Sequence, residues 1–259
     1  MFLWIVADLI RIGLPNLSWS FLIGEVEQSG RAGGIGPLLV STSLILLCCL
    51  AVAIPLGVGC AVWLSEFTRR GSRARRWITG GVDLLASVPS IVFGLFGMTF
   101  FCQVLGLGFS IFSGGLTLAC MILPLLVRTT LSALQGLPDD LRPGAAALGI
   151  SQTTMLLRLL LPAALPGILV GVTLGIGRAL SETAALLFTS GYATRMPTSL
   201  ADSGRALSVH IYDLALNIPN GSANASATAL VLLAVILVIN FTATALADRW
   251  LRRLSGSRR

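Results

Sequence analysis

Arg128, Arg178 and Glu182 stand inside long apolar stretches of a chain that is only 11% charged. A charge at the centre of a membrane helix costs about 2.5–3.5 kcal/mol on insertion scales, so such residues pair or line a wet path. Arg178 and Glu182 are four positions apart, which puts them on one helix face. That spacing allows two readings. One is an intrahelical ion pair that locks the helices. The other is an arginine that attracts or passes an oxyanion, its availability tuned by the glutamate. Arg128 has Pro124, Leu125, Leu131 and Ser132 three and four positions away. Its partner must therefore come from another helix, another subunit or a solute. A guanidinium suits an oxyanion because its planar fork donates two parallel hydrogen bonds and never loses its charge. A path must also release what it binds, so one or two arginines fit better than a full cage. These three residues are the candidate substrate path.

Other chemistries find little footing. All 18 basic residues are arginine. A P-loop needs a lysine to reach the phosphates, so this chain contains none and cannot drive ATP-powered transport alone. Cys48, Cys49, Cys60, Cys102 and Cys120 all lie in apolar runs, without metal-type spacing. They read as small buried hydrophobes. The only histidine, His210, falls in an outer loop and reads as a lone surface side chain. The excess of arginine over acid is explained by membrane topology rather than by nucleic acid. No catalytic residue, metal or cofactor is expected.

The elements that must carry these residues are membrane helices. Mean hydropathy is +0.88, and no charge occurs from Leu38 to Leu64, Leu84 to Val127, or Leu214 to Ala247. A span takes roughly 20 apolar residues, so the run from Leu84 to Val127 holds two, divided near "GLGFSIFSGG". The sequence predicts an all-α membrane protein of about six spans: Met1–Leu14, Leu38–Leu64, Ile78–Leu105, Gly114–Gln135, Pro166–Ser190 and Ser226–Ala247. The first is short, contains Asp8 and Arg11, and resembles the tail of a longer helix. Residues 1–37 then form a short helix and outer loop, 38–248 the transmembrane domain and 249–259 a basic tail. Pro89, Gly94 and Gly97 predict a kink or close helix packing, and Asn240 an interhelical hydrogen bond. Glu66 and Asp83 fall near span ends, as interfacial groups. In the outer loop Leu207, Ile211, Leu214 and Ile218 are helically spaced, for a short helix on the membrane or beneath a docked partner.

Arginine also sets orientation. Twelve arginines occupy alternate loops: Arg69, Arg70, Arg73, Arg75, Arg76, Arg142, Arg158, Arg249, Arg252, Arg253, Arg258 and Arg259. The opposite loops hold Arg31, Arg195 and Arg205. The positive-inside rule makes the first set cytoplasmic, and with it the C-terminus.

One cytoplasmic stretch, "RPGAAALGISQTTMLLRLLLP" from Arg142 to Pro162, interrupts the apolar pattern between the fourth and fifth spans. Asp139 or Asp140 can cap a helix there, with Pro143 in its first turn. Ala145, Ala146, Ala147 and Gly149 give a surface with little side-chain bulk, suited to another protein's groove. Pro162 and Pro166 then turn the chain back into the membrane.

This stretch resembles the cytoplasmic motif of permease subunits of ABC importers: Glu-Ala-Ala, three residues, Gly, nine residues, Ile-x-Leu-Pro. Gly149 is followed by nine residues and then by Leu159, Leu160, Leu161 and Pro162. Gly144 and Ala145 take the two alanine positions, and Pro143 replaces the acid. "LLASVPSIVFGLFG", "LPLLVRTTLSALQGLPDDLR" and "GRALSETAALLFTSG" narrow the likeness to the PstA-type permease of bacterial phosphate importers, from about Ile10 to Ala247. "SETAALLF" and "VRTT" set it apart from sulfate and molybdate permeases.

The resemblance implies a coupling helix that docks on an ATPase through Pro143, Gly144, Ala145, Gly149, Leu159, Leu161 and Pro162. It implies a dimer of ATPase subunits, a second related permease and an extracytoplasmic phosphate-binding protein, with phosphate as solute and the inner membrane as location. The alternatives are a sulfate, molybdate or tungstate permease of the same kind, and a self-contained secondary transporter.

Overall fold

The computed structural model describes residues 2–69 and 71–255. Met1, Arg70, Arg258 and Arg259 lie outside the described residues. The helices are α1 Phe2–Gly13, α2 Trp19–Ile23, α3 Gly36–Val62, α4 Arg73–Ser87, α5 Ser90–Gly97, α6 Ile111–Gln135, α7 Leu141–Ala147, α8 Gln152–Met155, α9 Leu161–Ser181, α10 Ala184–Leu187, α11 Leu207–Leu216 and α12 Ser222–Ser255. One two-residue hairpin, β1 Val26–Glu27 with β2 Ala32–Gly33, is antiparallel. The all-α membrane class expected from composition is the class observed.

Among the described residues, four stretches of helix are long and apolar enough to cross a membrane: Gly36–Phe67, Ile111–Gln135, Gln152–Ser181 and Ser222–Ala247. Arg73–Ser87 and Ser90–Val104 make a fifth if taken as one bent crossing. This differs from the six segments expected. α1 is 12 residues, about 18 Å of helix, short of the roughly 30 Å apolar thickness of a bilayer. The third segment is not straight: its two halves meet at 100°. Pro89 stands at the break, extended at φ −60° and ψ 144°. Proline has no N–H for the helix ladder and biases the preceding residue away from helix.

Two other expectations fail for related reasons. Pro162 and Pro166 do not turn the chain; Gln152–Ser181 runs through both. A wider helical turn at Leu156–Leu160 opens the ladder just before Pro162, making room for its ring beside the Arg158 carbonyl. At its other end the fifth segment stops at Ser181, short of the expected Ser190. The division of the Leu84–Val127 run falls at residues 105–110, where Gly106 and Gly108 have φ of +69° and +63°.

The chain forms two compact units, each drawn from three separated stretches. The first comprises Met1–Val52, Val88–Met121 and Ile176–Val238. Its core gathers Phe21, Ile35, Leu38, Leu207, Ala227 and Val231. α5 packs closely here. A side chain at Gly94 would collide with the backbone of Ala185, and one at Gly97 with Thr117 and Thr189. The second unit comprises Ala53–Ser87, Ile122–Gly175 and Ile239–Arg259. Leu134, Leu160, Ala164 and Ile168 form one of its cores with Val62. Leu64, Val82 and Val127 form another.

Candidate functional site

The Arg142–Pro162 stretch lies in the second unit. α7 begins beside Asp140, which makes no side-chain capping bond, so the expected Asp cap is absent. The chain breaks after Ala147, where Gly149 takes φ +69°, a conformation open to glycine at little cost. Ser151 then caps α8, its hydroxyl accepting from the Thr154 amide at 3.3 Å. The stretch is therefore two short helices around a left-handed glycine.

Pro143, Gly144, Gly149 and Leu159 are exposed, whereas Ala145 is buried. No atom outside the local helix backbone lies near a side chain that might be added at Gly144 or Gly149. Leu161 and Pro162 are half-buried, and the leucine between Leu159 and Leu161, Leu160, is fully buried in the core. The most exposed apolar side chain of the stretch is Leu148, at 79%.

What holds this stretch is an ion pair. Arg142 donates from Nη2 to Glu66 Oε1 at 2.8 Å and from Nε to Oε2 at 3.1 Å, a bidentate fork. Nη2 also donates to the Leu134 carbonyl at 3.2 Å. Ser65 Oγ donates to Glu66 Oε1, and Gln152 Nε2 donates to the Glu66 backbone carbonyl. The carboxylate holds the Arg142 proton more tightly than usual. One glutamate thus ties the end of the first long span, the end of α6 and both short helices together. Sequence reading placed Glu66 as an interfacial group and missed this. The two residues are 76 positions apart, beyond any helical spacing.

Arg128 also finds a partner in its own chain. Its Nε donates to Asp83 Oδ1 at 2.9 Å, and Nη2 reaches the same oxygen. Asp83 comes from α4, so the partner is on another helix, one of the three sources the sequence allowed. About half of each side chain remains exposed, at 52% and 57%, so the pair stays open to water or a solute.

Arg178 and Glu182 are not an ion pair. α9 ends at Ser181, which places Glu182 beyond the helix and off the shared face. Glu182 Oε1 instead accepts from the Ala185 amide at 3.1 Å, at the start of α10. Its backbone carbonyl accepts from Ser208 Oγ. Arg178 is exposed, and among the described residues its side chain has no hydrogen-bond or ion-pair partner.

The outer segment departs further from expectation. His210 is 1% exposed, not on the surface. It lies on α11, where Leu207, Ser208 and Val209 are buried with it. The helix is therefore packed into the first unit through this side, with Tyr212 and Leu216 left exposed on the other. Arg205 donates to Asp213 at 3.2 Å and to His210 Nδ1 at 3.5 Å, and stacks over Tyr192 with its guanidinium 5.3 Å from the ring centre. Because Arg205 can only donate, Nδ1 accepts and the ring proton sits on Nε2. Burial, then the Arg205 charge, pushes the His210 pKa down to about 4. Asn224 donates to the carbonyls of Gly30 and Arg31, closing the hairpin beside this cluster. No sequence period could have announced a buried His–Arg contact. Asn240 makes no hydrogen bond to another helix among the described residues. It lines a groove with Leu169, Val170, Thr173 and Leu174 of α9.

Long apolar helices with an exposed two-helix segment between two of them define a multi-span membrane protein. The chain belongs to the family described as the binding-protein-dependent transport system inner membrane component, which matches residues 53–256. A probable ABC transporter permease protein, YqgI of Bacillus subtilis, is 34% identical over 254 residues, covering 92% of this chain and 84% of that protein. The phosphate transport system permease protein PstA of Xylella fastidiosa strain 9a5c is 36% identical over 184 residues, covering 70% of this chain and 63% of that one. A PstA homolog of Mycoplasma pneumoniae is 35% identical over 194 residues, and this chain spans 29% of its length. Among solved structures, the bacterial alginate ABC transporter in complex with its pentasaccharide-bound periplasmic protein matches with a TM-score of 0.68 at 19% identity, covering 94% of this chain and 87% of that chain. The inward-facing MetNI methionine ABC transporter matches at 0.65 and 18%, covering 84% and 94%. The chain is thus a non-catalytic inner-membrane permease subunit of a binding-protein-dependent ABC importer.

Proposed function

We propose that this chain forms the translocation path of an ATP-driven phosphate importer together with a second, related permease. Residues 38–248 carry the permease domain, between the outer 1–37 segment and a cytoplasmic basic tail at 249–259. The Arg142–Pro162 stretch docks on the ATPase dimer, with Leu148 as its apolar contact beside Pro143, Gly144 and Gly149. Leu161 and Pro162 set its exit into α9, Leu159 adds exposed apolar surface, and Ala145 anchors α7 inward. An extracytoplasmic phosphate-binding protein delivers the solute on the opposite face.

The observation that carries the reading is the Glu66–Arg142 fork. An exposed docking surface does work only if its displacement reaches the spans, and this pair joins α7 to the ends of two of them. Arg128 and Arg178 each keep an exposed guanidinium in an apolar helix, the chemistry an oxyanion path requires. Glu182, turned to α10, leaves Arg178 free for the ion. The naming of several relatives as phosphate permeases supports phosphate over other oxyanions.

The test is uptake by the complete importer reconstituted in liposomes, with sulfate, molybdate and tungstate as competitors. Phosphate uptake that requires ATP and resists those anions is expected. Uptake of another oxyanion in preference to phosphate would replace the substrate, and transport by this chain alone without ATP would overturn the whole assignment.

A further inference from the structure

We propose that α4 holds an anionic phospholipid on its outward face, with the headgroup phosphate between Arg73 and Arg76. α4 packs on the second unit through Ile78 and the buried Val82, beside Leu64 and Val127. The opposite face lines a shallow, open groove whose residues all come from α4.

The groove is ordered along the helix. Arg73 and Arg76 form its N-terminal end, Trp77 follows, then Gly80 and Gly81, then Leu84. Those positions recur at three- and four-residue intervals, so they make one stripe. Basic, aromatic, small and apolar is the order in which a membrane lipid presents phosphate, glycerol and acyl chain. Trp77 is 81% exposed, a large exposure for a side chain that favours the membrane interface. Nothing lies within 4 Å of a side chain that might be added at Gly80 or Gly81, so the stripe has a shallow floor there that an acyl chain can cover.

The charge balance points the same way. Arg73, Arg75 and Arg76 stand in the first turn of α4, which contains no acid. The helix N-terminus is itself positive, so these arginines oppose the macrodipole. Among the described residues no carboxylate pairs with Arg73 or Arg76. Asp83, the acid of the same helix, is engaged with Arg128. A phosphodiester at this end offsets both the arginines and the helix end. A zwitterionic lipid carries its own ammonium beside the phosphate and offsets them less.

The test uses the assembled importer in bilayers of equimolar phosphatidylglycerol and phosphatidylcholine. Lipids retained after detergent extraction are counted by native mass spectrometry. The wild type should keep phosphatidylglycerol in preference. With each arginine near a membrane surface contributing about 1 kcal/mol, the Arg73→Gln/Arg76→Gln double variant should retain about thirtyfold less. Gly80→Leu, which fills the floor and leaves the charges, should also reduce retention. A benzoylphenylalanine in place of Trp77 should cross-link to lipid on illumination. Equal retention of the two lipids, unchanged retention by the double variant, displacement by excess inorganic phosphate, or a cross-link to a protein subunit would each overturn the proposal.

Discussion

Replacing Glu66 by glutamine should uncouple the docking stretch from the spans. The Glu66 side chain is 4% exposed and that of Arg142 is 28% exposed. Breaking a buried pair by removing one partner costs about 3–5 kcal/mol. Here the cost is smaller, because water reaches Arg142, which also keeps its bond to the Leu134 carbonyl. A glutamine oxygen also still accepts one hydrogen bond. The worth of a charged hydrogen bond sets the loss at about 2 kcal/mol. That is about a thirtyfold shift from the anchored toward the released arrangement of α7. The assay is the reconstituted importer, measuring solute moved and ATP hydrolysed together. Glu66→Gln should hydrolyse ATP while moving several times less solute per ATP. A double-mutant cycle with Arg142→Gln isolates the pair, and replacing both should recover part of the loss since no lone charge remains. A coupling energy below about 0.5 kcal/mol, the scatter between independent sites, or transport at the wild-type ratio by Glu66→Gln, would refute the reasoning.

Arg128→Ala should abolish phosphate uptake while the complex still assembles. Its half-exposed pair with Asp83 contributes at most about 1 kcal/mol to stability, so uptake and assembly must part company; normal uptake by this variant removes Arg128 from the path. Leu148→Asp should prevent co-purification with the ATPase subunit without disturbing the fold, because the side chain is 79% exposed. Retention of the ATPase by that variant moves the docking surface elsewhere. His210 makes stability fall with acid. Its folded pKa of about 4 lies below the ordinary 6.5, so the unfolded chain takes up the proton first. The stability is fully present above pH 6.5, declines as pH falls, and about 3 kcal/mol is lost by pH 4. Thermal unfolding of the detergent-solubilised protein should show this slope, and His210→Gln should flatten it.

Composition alone settled the class. With so few charges, long stretches of backbone must satisfy their hydrogen bonds internally, and in lipid a helix is the simplest structure that does so. The positions of most spans followed from the length of uninterrupted apolar runs, and the place of the exposed Arg142–Pro162 stretch from the small and charged residues that interrupt them. Proline was the unreliable sign. Pro89 breaks a helix, whereas Pro162 and Pro166 ride inside one. A widened turn precedes Pro162, but Pro166, like Pro55 and Pro124, lies within regular helix, so proline by itself does not mark a break.

Partners were the other part only tertiary structure could decide. Helical spacing offered Glu182 to Arg178, but the helix ends at Ser181 and the carboxylate caps α10 instead. The bonds that form join residues 45 and 76 positions apart, Arg128 with Asp83 and Arg142 with Glu66. A buried histidine likewise became visible only when α11 folded into its unit. Local sequence records which charges exist in apolar surroundings and how costly they are. Which oxygen each guanidinium meets depends on how separate helices stack, and that is a property of the packed chain.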